Sequence, residues 1–204
     1  MRVARGTLLL GLALSIFLPT LARAEESPRH AVELGGELAF ARMLAPAPSH
    51  ANELSRMNGG AALALGAAYR SPFLFTPFVE LAYTPLYASD ARTRFANPAG
   101  TIRSSSQAWS GVVGLGLDFD RIRFRAGIGL YDFAVDSTLG ASTAKASELD
   151  MGYLFGFGAT LLRRGRFRMG VDLRLGLVTD AETMFMSLGL TTTFDALVWG
   201  ARPR

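Results

Sequence analysis

Residues 167–177 alternate without a break. Phe167, Met169, Val171, Leu173, Leu175 and Leu177 are large and apolar, while Arg168, Gly170, Asp172, Arg174 and Gly176 between them are charged or minimal. A strand sends successive side chains to opposite faces, so this segment is a ribbon with one oily face and one polar face. A helix would mix the two sets around its circumference. A polar face of Arg, Asp and Gly suits two geometries. It can be the watered surface of a soluble sheet, or the inside of a barrel whose apolar side is turned outward to lipid.

Composition narrows the choice. Half of the 204 residues are hydrophobic, yet after residue 24 no run of about 18 apolar residues appears, so no helix in the body is built to span a bilayer. Apolar residues dispersed at alternate positions explain the mean hydropathy of +0.25. The absence of cysteine excludes disulfides, thiolate metal sites, cysteine nucleophiles and a lipid-anchored cysteine. The formal charge is +4, but Arg2, Arg5 and Arg23 fall in a leader without acids. The rest of the chain is near balance, and no nucleic-acid partner is expected.

Residues 1–24 read as a secretory signal peptide. Arg2 and Arg5 precede an apolar run over 7–18, followed by Pro19 and the small-x-small site Ala22-Arg23-Ala24. Cleavage after Ala24 is expected, with residues 25–195 as one domain and 196–204 as a short tail.

Seven further segments repeat the alternation, so eight strands are expected over 32–43, 61–70, 73–87, 107–119, 122–133, 151–162, 167–177 and 184–194. Pro77 and Pro85 fall inside the third and mark a bulge or a shortened strand. One face is small or polar throughout. Ala62, Ala64, Gly66 and Ala68 would make a poor water-facing surface but fit the inside of a narrow closed barrel.

Connections also sort into two kinds. Ser71-Pro72, Asp120-Arg121 and 163–166 are tight turns, whereas 44–60, 88–106 and 134–150 are long and rich in Ala, Ser, Pro and Asn; the last connection, 179–183, is short. On the apolar face, Tyr69, Phe73, Phe75, Phe119, Phe124, Phe167 and Phe194 gather toward the tight turns. Phe40, Tyr83, Tyr87, Trp109 and Tyr153 gather toward the long loops, with aliphatic residues such as Leu81 and Leu173 between the two rings. Phe157 is the exception, counting to mid-band. Short turns at one end, long loops at the other and two aromatic girdles are the marks of bacterial outer-membrane barrels.

On these features, from about residue 30 to 195, the chain resembles the small outer-membrane β-barrels of the OmpA/OmpX type. The resemblance is one of architecture, not of a motif. It implies an all-β, eight-stranded, antiparallel, up-and-down transmembrane barrel in the bacterial outer membrane. It further implies a monomer whose partners are outer-membrane lipid, lipopolysaccharide and the barrel-assembly machinery. Members often end on an aromatic residue read by that machinery; here Phe194 closes the last strand and 195–204 follow.

Alternation places Glu37, Glu80, Arg125, Asp172 and Arg174 inside the lumen, and counting from the turns puts Glu37, Glu80, Asp172 and Arg174 at about mid-height. Glu33, Asp118, Arg123 and Arg168 come nearer the tight turns. Enclosed charges must pair, because an isolated one is very costly. A salt-bridged plug is therefore expected, giving a structural or surface-interaction protein. The competing readings are a narrow channel for small polar solutes and a soluble periplasmic lipocalin-like carrier with the Leu/Val/Phe face turned inward around an apolar ligand.

Catalysis is not expected. The family resemblance includes barrels that modify lipid A and barrels that are proteases, but the two histidines, His30 and His50, lie near the mature N-terminus and in the first long loop. Ser142-Thr143-Ala144-Lys145 matches S-x-x-K without its companion motifs. Gly114-Leu115-Gly116 and Gly127-Ile128-Gly129 are strand glycines with no following helix to cradle a phosphate. No spacing suggests a metal site, and no cofactor is implied.

Overall fold

A computed structural model describes residues 30–44, 59–71, 74–92, 101–119, 121–139, 141–179 and 183–200. The expected leader, its cleavage site and His50 lie outside them. The chain forms β1 (His30–Met43), β2 (Gly60–Arg70), β3 (Phe75–Arg92), β4 (Thr101–Phe119), β5 (Ile122–Leu139), β6 (Ser142–Arg164), β7 (Phe167–Val178) and β8 (Thr183–Trp199). Each strand pairs with the next, antiparallel, and β8 pairs with β1, so the sheet closes with no free edge in the ring. Closure runs from His30↔Trp199 to Met43↔Phe185.

The barrel is inverted relative to a soluble protein. Leu65 is 71% exposed and Leu81 64%, both on the outside, whereas Glu80 is 4% and Arg174 7% exposed, both inside. Leu173 and Leu188 also face out. This rules out the lipocalin-like arrangement, which needs those leucines around a central ligand. An exterior of exposed Leu, Val, Phe and Ile on a closed sheet is stable against hydrocarbon rather than water, because every ladder hydrogen bond is made between strands.

The outer girdles assemble through ring contacts. Tyr83 and Trp109 lie 5.0 Å apart at the loop end, and Phe124 meets Phe157 at 5.2 Å toward the turn end. Phe157 thus belongs to the turn-end girdle and not to mid-band. It is paired with Phe124, which stands two residues from the start of β5. Neighbouring strands in a closed barrel are staggered, so counting from a strand's own turn misplaces its residues.

Three features of the strands stand out: two boundaries that differ from expectation and, between them, the bulge that Pro85 was expected to mark. First, β8 continues past Phe194 to Trp199, carried by a register shift at Val32/Glu33 of its partner. Leu197 and Trp199 remain on the outside, so the barrel wall takes in residues expected in the tail. Second, Pro85 sits at a bulge that leaves Leu86 between two ladder pairs and buried. Third, much of 88–106 and nearly all of 134–150, expected as loops, is strand. Those stretches lack an oily face because no lipid touches them there, and the ladder alone holds them.

Glycines on the lumen face make room for rings. A Cβ on Gly152 would come within 2.7 Å of the Tyr131 ring, and one on Gly176 would enter the Phe185 ring. Gly176→Val is therefore expected to lower stability by about 1–3 kcal/mol through overpacking. The urea midpoint of the barrel in detergent reads this; an unchanged midpoint would show that the upper lumen is loosely filled.

Candidate functional site

The lumen is built in three layers. The lowest, at the tight-turn end, comes from strand ends. Arg70 of β2 pairs with Glu33 at 3.4 Å and Asp195 at 2.8 Å. Arg123 of β5 reaches Glu33 at 3.0 Å and Asp118 at 2.6 Å, and Asp118 also accepts from the Thr76 hydroxyl at 3.0 Å. Arg168 of β7 contacts Glu33 and holds Asp195 at 2.9 Å. Three guanidiniums thus meet three carboxylates. Arg70 and Asp195 were not anticipated, although both share the parity of the inward residues on their strands.

Glu37, Glu80, Arg125, Asp172 and Arg174 meet in the middle layer. Glu80 accepts from Arg125 at 3.0 Å and from Arg174 at 2.6 Å on the same oxygen. Arg125 also contacts Asp172 and lies 4.0 Å from Glu37. Arg174 Nε stands 2.8 Å from Glu37 Oε2, but both Glu37 oxygens lack a donor in hydrogen-bond geometry; that contact is ionic attraction without a directed N–H. Three carboxylates share two guanidiniums, so every cation in this layer is oversubscribed. Between the two charged layers lies a cavity of about 80 Å³ lined by Glu33, Thr76, Arg125 and Asp172 among others, roomy enough for several waters.

Above the charged layers the lumen is mostly apolar, with Thr84, Ser106 and Asp150 also buried there. Phe78, Leu86, Ala108, Val112, Tyr131, Phe133, Leu154, Val178 and Phe185 form one buried cluster. The Arg125 guanidinium lies 5.7 Å from the Phe78 ring centre, joining the two layers by a cation–π contact. Tyr131 stacks near Phe133 at 6.4 Å and meets Phe185 edge-on at 6.0 Å. Beneath Tyr131 only about 10 Å³ of space separates it from Glu80 and Arg174. The charge network expected from the sequence occupies the turn half of the lumen, and rings dominate the loop half.

Catalytic constellations do not assemble among the described residues. His30 stacks with Trp199 at 5.7 Å and Tyr69 at 5.9 Å, and its Nδ1 is 2.5 Å from the Tyr69 hydroxyl. Ser142 and Lys145 stand on an exposed hairpin, Lys145 3.7 Å from Asp136. Gly114, Gly116, Gly127 and Gly129 are all within strands. No group of His, Asp and Glu could hold a metal among the described residues.

Solved structures share this architecture. Ail, the attachment invasion locus protein of Yersinia pestis, superposes with a TM-score of 0.54 at 10% identity, over 83% of this chain and 99% of that one. The chain has the fold of the small bacterial outer-membrane β-barrels. Ail in complex with the heparin analogue sucrose octasulfate matches at TM-score 0.51 and 8% identity, with the same 83% and 99% coverage. Neisserial surface protein A matches at TM-score 0.45 and 13% identity, over 80% of this chain and 96% of that one. No protein-family model matches the chain, and no curated protein does. On that fold this chain carries a two-tier charge network in the lumen and strand extensions at the loop end.

Proposed function

We propose that this is an exported, non-enzymatic barrel of the bacterial outer membrane that acts through a surface held beyond the lipid, its lumen serving as a permanent plug. Residues 1–24 would direct export and leave after Ala24. The exterior belt would contact phospholipid and lipopolysaccharide, and the assembly machinery would insert it as a monomer.

The observation that carries this reading is the length of the strands. A tilted membrane strand needs about 9–11 residues; β2 has 11, but β6 has 23. Its surplus lies at the loop end. There β3, β4, β5 and β6 continue as a four-stranded sheet, with pairs such as Ala91↔Ile102, Arg103↔Thr138 and Asp136↔Lys145. Pairing with β7 begins only at Gly152↔Val178, so residues 142–149 present an open, exposed strand edge. Ordering so much backbone outside the barrel costs conformational entropy with little apolar burial in return, which fits a surface kept for contact.

Trypsin added to intact cells tests the placement. Cleavage after Lys145, at the tip of the extension, is expected while the barrel core stays protected. Replacing residues 136–147 by a tight turn should leave a folded barrel and abolish attachment of expressing cells to host-cell layers. Protection of Lys145 in intact cells, or undiminished attachment without the extension, would overturn the proposal. In planar bilayers the intact chain should show no steady conductance, because rings and ion pairs occlude the lumen in series.

A further inference from the structure

A second set of charges lies at the tight-turn end, outside the lumen network. Arg121 occupies the β4–β5 turn, and Arg163, Arg164 and Arg166 surround the β6–β7 turn at Gly165. The β4–β5 turn abuts β6 a few residues before that strand's own turn, since the Thr160 amide donates to the Arg121 carbonyl at 2.7 Å. All four arginines are exposed. The acids described at this end, Glu33, Asp118 and Asp195, point inward and are taken up by Arg70, Arg123 and Arg168. Among the described residues, no carboxylate pairs with Arg121, Arg164 or Arg166. With Asp120 beside Arg121 in the sequence, the four arginines still leave the patch net positive, in a mature chain close to charge balance as a whole.

Its position decides what can neutralise it. A register shift between Thr160 and Leu162 turns the adjacent Leu161 and Leu162 both to the outside. With Phe167 across the turn, they end the apolar belt directly against the arginines. Guanidiniums one or two residues past the hydrocarbon boundary lie at headgroup depth, their stems along the apolar belt and their forks reaching the interface. A planar fork with paired N–H donors matches phosphate oxygens.

We propose that this rim binds the phosphodiester groups of anionic phospholipids in the leaflet that meets the short turns. The proposal rests on the membrane-spanning reading above and adds a leaflet-specific ligand site to it. The neutral headgroup of a zwitterionic lipid carries its own ammonium and would not discharge the patch.

The test compares the full chain with Arg121→Gln/Arg164→Gln/Arg166→Gln in nanodiscs of mixed phosphatidylglycerol and phosphatidylethanolamine, with native mass spectrometry counting the lipid retained on each barrel. A charge near an anionic surface is worth about fivefold in affinity, so the triple variant should bind phosphatidylglycerol ~100-fold more weakly. Retained phosphatidylethanolamine should not change. Equal phosphatidylglycerol retention by both chains overturns the site, as does preferential retention of lipid A when that is supplied in its place. Heat-modifiable gel mobility keeps the two readings apart. Folded, inserted barrels that retain no anionic lipid remove the rim site alone; a chain that never inserts removes the membrane-spanning reading and the site with it.

Discussion

Arg125→Ala is expected to destabilise the barrel by about 3–5 kcal/mol, the cost of removing one partner from a buried ion pair. Arg125 touches Glu37, Glu80 and Asp172 at once; its loss leaves Glu37 and Glu80 to Arg174 and takes from Asp172 its one ion-pair partner among the described residues. It also removes the cation resting on Phe78, where the charged and apolar halves of the plug join. The neighbouring cavity admits water, which screens the remaining acids and favours the lower part of that range. Arg174→Ala should follow the same direction, since it strips Glu37 and Glu80 together. Glu37→Gln should behave differently. It brings the acids down to the number of guanidiniums and removes a carboxylate that receives no directed hydrogen bond, so its cost should fall well below that of either arginine. Urea unfolding in detergent, followed by the shift in gel mobility, orders the three. Arginine variants losing less than about 1 kcal/mol, the range of exposed pairs, would mean that the lumen is wet throughout and the network contributes no stability.

How far the sequence carried can be judged residue by residue. Parity along each strand places Glu37, Glu80, Arg125, Asp172 and Arg174 on one face, and counting from the tight turns puts all but Arg125 at a common height; the stagger of neighbouring strands brings Arg125 to the others. Parity also held the answer for Phe78, Leu154 and Phe185, which share a face with Glu80, Gly156 and Ser187. They were passed over because apolar was equated with outward. That equation holds for the lipid belt, but a sealed interior excludes water as well and accepts rings wherever Gly152 and Gly176 leave room. Asp195 escapes the sequence reading because an aromatic at Phe194 marks the expected end of the strand. The extensions over 88–106 and 134–150 look like loops in the sequence because alternation is a signature of two different solvents on two faces. Above the membrane both faces meet water, and the signature disappears while the ladder persists.

Leu81→Arg should cost about 2–4 kcal/mol, the penalty for a cation on the lipid face near the bilayer midplane. Leu81 pairs with Leu65 on one side and Gly111 on the other, between the Tyr83–Trp109 contact and the turn-end aromatics, so its arginine would have the longest reach to either interface. The sign of the effect depends on the surrounding solvent. On a soluble protein, replacing a leucine that is 64% exposed by arginine would be near neutral and would improve solubility. In a bilayer the same exposure is contact with hydrocarbon. The same change at Phe167, beside the headgroup level, should cost only about 0–1 kcal/mol. Folding measured in lipid vesicles should therefore show a penalty that declines with distance from Leu81 toward the turns. A flat profile, or one in which Leu81→Arg is harmless in vesicles, would mean that the leucine belt does not face lipid, and every assignment built on the inverted barrel would go with it.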